Sequence, residues 1–170
     1  MKKIVKKIST LFMTATIALT TFGTSSLLSA SAASTVAEGV YVIQSALGTN
    51  KVVDITGGGT TNGTNCQLYQ RNNSVAQAFK ITSAGSGWYT IQLAPTNDKV
   101  LDVSGGKGYS GCNVAIWTSN GSPATNNQLW CFESAGSGYY YIKSKTGFYL
   151  DVSGGSSANG TNIQGYSGNK

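Results

Sequence analysis

Three aspartates stand at nearly equal intervals, Asp54, Asp102 and Asp151, spaced 48 and then 49 residues apart. Each sits between aliphatic residues, in Val53-Asp54-Ile55, Leu101-Asp102-Val103 and Leu150-Asp151-Val152, and each triplet runs into Thr/Ser-Gly-Gly. Next come Asn65-Cys66-Gln67-Leu68-Tyr69, Asn113-Val114-Ala115-Ile116-Trp117 and Asn162-Ile163-Gln164-Gly165-Tyr166. A carboxylate can accept from two neighbouring hydroxyls at once, and such charge-assisted bonds are the stronger kind. An amide serves a hydroxyl as donor or acceptor, and an aromatic ring covers the apolar C–H face of a pyranose. Asp, an aromatic and an amide on one shallow surface therefore make a minimal sugar site.

Other chemistries lack their parts. The chain has no His, which removes Ser-His-Asp and Cys-His arrangements. A glycosidase needs two carboxylates about 5 to 10 Å apart. The six acids are Glu38, Asp54, Asp98, Asp102, Glu133 and Asp151, and three of them occupy equivalent places in different copies. Cys66, Cys112 and Cys131 have no CxxC or Cys/His spacing, so neither a metal site nor a cofactor is expected. An odd count leaves at least one thiol free, and Cys112 with Cys131 is an open pairing. Gly57-Gly58-Gly59 lacks the Lys and helix start of a phosphate loop and reads as a turn.

The elements that position these residues read as strands. Tyr41-Val42-Ile43, Val53-Asp54-Ile55, Cys66-Gln67-Leu68-Tyr69 and Ala76-Gln77-Ala78-Phe79-Lys80-Ile81 alternate with period two, and nothing after the leader keeps a helical period. Each copy opens alike, with Gly39-Val40-Tyr41-Val42-Ile43, Gly87-Trp88-Tyr89-Thr90-Ile91 and Gly138-Tyr139-Tyr140-Tyr141-Ile142. This predicts an all-β chain of three four-stranded repeats, about 39–86, 87–137 and 138–170, after a short linker at 33–38. The alternation also predicts that each Asp projects away from the core. Asn62-Gly63-Thr64 and Asn159-Gly160-Thr161 occupy equivalent repeat positions and read as turns rather than glycosylation sites.

Three copies of about fifty residues resemble a β-trefoil of the ricin B-chain lectin type, also called carbohydrate-binding module family 13. The resemblance rests on Leu-Asp-Val-Ser-Gly-Gly, the Asn-Gly-Thr turn, the Gln-Leu-Tyr strand and the closing Gln-x-aromatic, seen as Gln77-Ala78-Phe79 and Gln128-Leu129-Trp130. It covers residues 39–170. The third copy runs to Lys170 without the closing Gln-x-aromatic strand, so a truncated third lobe with an unpaired edge is expected. The resemblance implies a carbohydrate-binding role in which Asp102 is the bidentate acceptor, Trp117 the stacking platform, and Asn127 and Gln128 the amide partners. The first copy offers Asp54, Gln67, Tyr69 and Gln77, with Ala76 where the second has Asn127. The third offers Asp151, Gln164 and Tyr166. The implied ligands are galactose-type glycans or a plant polysaccharide such as xylan. A non-sugar-binding trefoil and a module of a larger secreted glycoside hydrolase are the alternatives, and association with a catalytic partner or second chain stays open.

Residues 1–32 read as a secretory signal. Lys2, Lys3, Lys6 and Lys7 precede an apolar, Thr-rich stretch and Ser29-Ala30-Ser31-Ala32. The stretch is diluted by Thr and Ser and lacks a charged stop, which favours cleavage over anchoring. Four of the 12 basic residues leave with it, so 8 remain against 6 acids, a net of +2. That balance gives no electrostatic footprint for nucleic acid or an anionic membrane.

Overall fold

The computed structural model describes residues 35–106 and 108–167, together with the backbone of Ile8–Thr10. Apart from Ile8–Thr10, the proposed signal lies outside the described residues. Twelve strands run in chain order: β1 (Ile8–Thr10), β2 (Gly39–Ile43), β3 (Lys51–Ile55), β4 (Cys66–Gln70), β5 (Phe79–Gly85), β6 (Trp88–Leu93), β7 (Lys99–Val103), β8 (Cys112–Thr118), β9 (Trp130–Gly136), β10 (Tyr139–Ser144), β11 (Tyr149–Val152) and β12 (Thr161–Tyr166). The first copy supplies β2–β5, the second β6–β9 and the third β10–β12.

All pairing is antiparallel. First and fourth strands of the copies form a belt, β2-β5-β6-β9-β10. Second and third strands form hairpins, β3·β4, β7·β8 and β11·β12. The hairpins meet through β12, which pairs with both β4 and β8. At that junction equivalent asparagines of the three copies join: Asn113 Nδ2 donates to Asn65 Oδ1 at 2.9 Å, and Asn65 Nδ2 to Asn162 Oδ1 at 3.0 Å.

The belt encloses one core. Ile43, Phe79, Ile81, Ile91, Trp130, Phe132 and Ile142 are fully buried, together with Ile55, Leu68, Leu101 and Ile116 from the hairpins. Trp130 fills the interior and its Nε1 donates to Leu101 O at 3.1 Å. Cys66 and Cys112 are free buried thiols and Cys131 is buried, so the open pairing of Cys112 with Cys131 is not made. Burial pushes the Cys66 thiol well above its ordinary value. Gly165 stands where the other copies have Leu68 and Ile116 because a Cβ there would lie 2.7 Å from Cys112 Sγ.

Two differences from the sequence reading matter. Ala76-Gln77-Ala78 does not continue a strand. Val75–Gln77 and Asn126–Gln128 are 3-10 turns, and β5 and β9 begin only afterwards. The other concerns the edge expected to be unpaired. While residues 1–32 remain attached, β2 pairs with Ile8–Thr10, in the register Ile8↔Ile43, Ser9↔Val42 and Thr10↔Tyr41. Between the first two copies the equivalent contacts are Ile81↔Ile91, Thr82↔Thr90 and Ser83↔Tyr89. The N-terminal strand thus lies along β2 as a closing strand would.

Candidate functional site

The second lobe is built around Asp102. In the β7·β8 ladder Asp102 faces Ala115 and Val100 faces Trp117, so Asp102 and Trp117 share one side of the hairpin. The opposite side carries Leu101 and Val103 into the core. The 3-10 turn Asn126–Gln128 packs over β7. Asn127 Nδ2 donates to Asp102 Oδ2 at 2.7 Å, and Gln128 Nε2 donates to the same oxygen at 2.8 Å. Asp102 Oδ1 accepts no hydrogen bond among the described residues, while Oδ2 holds both amides.

Asp102 projects away from Leu101 and Val103 as the alternation predicts, but into a recess and not onto a shallow surface. Asp102 is 6% exposed and Asp54 5%. Both lie at the floor of a recess because the 3-10 turn covers the outer side of the strand. Desolvation raises the Asp102 carboxyl above its ordinary value, and the Gln128 and Asn127 donors pull it back. Trp117 remains 47% exposed at the rim. The first lobe's turn supports it: Asn62 Oδ1 accepts from Thr118 N and Oγ1, each at 2.9 Å, and a Cβ at Gly63 would come within 3.7 Å of the indole. The sequence Asn62-Gly63-Thr64 therefore serves as a turn between lobes.

Gln128, read from the sequence equally as an amide partner and as a residue that holds its lobe together, is bound into the lobe. It is fully buried, and besides Asp102 its Nε2 donates to Thr118 O at 3.0 Å while its Oε1 accepts from Asn120 N at 2.9 Å. A side chain so committed acts through the carboxylate and does not itself face a ligand. Gln77 has the same role in the first lobe. Its Nε2 donates to Asp54 Oδ2 and Gln70 O, each at 3.0 Å, and its Oε1 accepts from Asn72 N at 2.9 Å.

The first lobe was expected to be one amide short, because Ala76 replaces Asn127. The structure corrects this. Gln67, facing Asp54 across β3·β4, donates to Asp54 Oδ1 at 2.9 Å. Both lobes therefore give their Asp two amides, one from the buried Gln and one from a different element. In the first lobe the second amide comes from a strand, in the second from the 3-10 turn. The consequence differs, since the first lobe occupies both carboxylate oxygens. Asp54, Gln67, Tyr69, Asn72, Val75 and Ala76 line a cleft of about 390 Å³. Asn72 was not singled out from the sequence; only its loop position brings it there.

In the third lobe Asp151 faces Gln164, whose Nε2 donates to Oδ2 at 2.9 Å. Burial raises the Asp151 carboxyl as well. No second amide reaches it among the described residues. Tyr166 is half-buried opposite Tyr149.

Gly-Gly after each Asp strand is required by backbone shape. Gly57 and Gly58, Gly105 and Gly106, and Gly154 and Gly155 all hold φ between +63° and +81°. Two successive left-handed residues turn the chain out of the strand, a conformation that strains any residue with a Cβ.

The fold and these three Asp sites define a β-trefoil of lectin type. The chain belongs to the ricin-type β-trefoil lectin domain-like family, whose model matches residues 27–117 and 99–166. Among solved structures it resembles ThreeFoil, a designed threefold-symmetric protein, with 28% identity and a TM-score of 0.65 over 70% of this chain and 83% of that one. It also resembles the exo-β-1,3-galactanase 1,3Gal43A from Clostridium thermocellum, with 31% identity and a TM-score of 0.64. That match covers 69% of this chain and spans 25% of the galactanase. The Rhizoctonia solani agglutinin shares the fold at 20% identity and a TM-score of 0.68, over 81% of this chain and 92% of that one. No curated protein matches the chain.

Proposed function

We propose that this is a secreted carbohydrate-binding protein without catalytic activity, and that its principal site is in the second lobe. One observation carries the reading. Asp102 is held in a desolvated recess by two amides on Oδ2, while Oδ1 is left to accept from a ligand hydroxyl beside the exposed Trp117. A preorganised acceptor in low dielectric binds a hydroxyl more strongly than one in open water. Trp117 supplies the face on which a pyranose stacks.

Absence of catalysis is supported by the placement of acids. Asp54, Asp102 and Asp151 lie on β3, β7 and β11 of three different lobes, so each site has one carboxylate where glycoside hydrolysis uses two. Galactose-containing glycans are the first ligand class to test, ahead of xylan, given the similarity to a galactanase. The match to about a quarter of that enzyme also supports the second reading, a binding module of a larger hydrolase.

Binding is tested on a glycan array followed by calorimetry with the best neutral glycan. Saturable binding that Asp102→Asn weakens at least about tenfold is expected. No saturable binding to any galactose- or xylose-based glycan would overturn the reading.

A further inference from the structure

A second cleft, of about 370 Å³, lies beyond the loop that joins β8 to the 3-10 turn at Asn126. Its volume is within the range of about 300–1,000 Å³ found for small-molecule sites. Trp88 and Lys145 face each other there, with Lys145 Nζ 5.4 Å from the indole centroid. Ser83, Ser86, Thr90 and Ser122 also line it, beside Pro123 and Leu129. None of the Asp-site residues belongs to it.

The electrostatics are opposite to those of the Asp sites. Lys145 is the sole charged residue lining the cleft, and its ammonium makes no ion pair or hydrogen bond among the described residues. By contrast, Lys99 is paired with Asp98 and Lys143 with Glu133. The Trp88 Nε1–H likewise has no acceptor among the described residues, whereas that of Trp130 is satisfied. An ammonium over an indole face is held without losing its donors. The cleft therefore presents a positioned cation, an indole donor and several hydroxyls to whatever enters.

We propose that this cleft binds an anionic sugar unit, with its carboxylate or sulfate on Lys145 and its hydroxyls on the Trp88 Nε1–H and the serine rim. The cation and the ligand's charge form a charge-assisted pair at the mouth of the cleft. Neutral glycans lack that term, and the carboxylate-centred Asp sites repel the anion. The two kinds of site thus select different sugars.

The test uses the whole chain and calorimetry with tri-galacturonate, its methyl ester and galactose 6-sulfate. Tri-galacturonate or the sulfate should bind, the uncharged ester should bind at least about tenfold more weakly, and affinity should fall with added salt. Binding of the carboxylate alone identifies a uronic unit, of the sulfate alone a sulfated one, and of both a charge-only site. Lys145→Gln, at an exposed position, should remove the preference for the acid over its ester, and Lys145→Arg should restore it. Trp88→Phe should keep the fold and weaken the acid. Asp102→Asn should leave acid binding unchanged while weakening the neutral glycan. Equal binding of acid and ester, no binding of either anion, or an unaltered Lys145→Gln would overturn the proposal. Loss of acid binding in Asp102→Asn would place the anion at the lectin site instead.

Discussion

Asn127 donates to Asp102 at 2.7 Å, and with that bond it takes over the part that Gln67 plays for Asp54. The replacement is not equivalent. Gln67 and Gln77 take one oxygen each of Asp54, whereas Asn127 and Gln128 share Asp102 Oδ2. Only the second arrangement combines two amides with an oxygen left to a ligand.

Asp102→Asn and Trp117→Ala should each weaken the best neutral glycan by at least about 1–2 kcal/mol. Asp54→Asn should weaken it less, because both oxygens of Asp54 are already engaged. Calorimetry on the three variants decides the order. A loss confined to Asp54→Asn would place the principal site in the first lobe.

Stability should separate the two amides. Gln128→Ala removes a fully buried side chain with partners on Asp102, Thr118 and Asn120, at a cost on the order of 2–3 kcal/mol. Asn127→Ala removes one half-buried donor and should cost on the order of 1 kcal/mol, with a larger relative effect on affinity. Denaturant melts and binding on the same samples measure both. Equal destabilisation by the two variants would contradict the assignment.

Acidification should remove binding before it harms this part of the fold. The Asp102 carboxyl sits above its ordinary value of 3.8 in the folded chain, and the ionised form is the acceptor. Affinity should therefore fall at a higher pH than for an ordinary Asp. The sign for stability is the reverse. A raised folded value contributes stability that is present below the unfolded value and lost as pH rises through the folded one. A titration of affinity against pH, flattened in Asp102→Asn, is the check.

Removal of residues 1–32 takes β1 away from β2. The three residue pairs from Ile8↔Ile43 to Thr10↔Tyr41 are then lost, and the shortened chain should be less stable by on the order of 1–3 kcal/mol. Thermal melts of the full chain and of residues 33–170 compare them. Superimposable melts would show that the pairing contributes nothing to the fold.

The sequence by itself determined the repeats, the strands and the position of each Asp. Period-two alternation and the 48- and 49-residue spacing are local patterns, and the core follows from them where the copies bury matching aliphatic positions, such as Ile43, Ile91 and Ile142 or Ile55, Val103 and Val152. Tertiary structure decided what those positions do. Whether Asp102 is exposed depends on the 3-10 turn Asn126–Gln128, about 25 residues away, and the equivalent turn of the first lobe forms where the strand pattern ran on through Ala76-Gln77-Ala78. Position-by-position comparison of the copies found Ala76 lacking an amide and missed that Gln67 reaches the same carboxylate from across a hairpin. Alternation says which side of a strand a residue faces. What covers that side, and from which element a partner arrives, is set by contacts between segments far apart in the chain, so it becomes legible only once the lobes are closed.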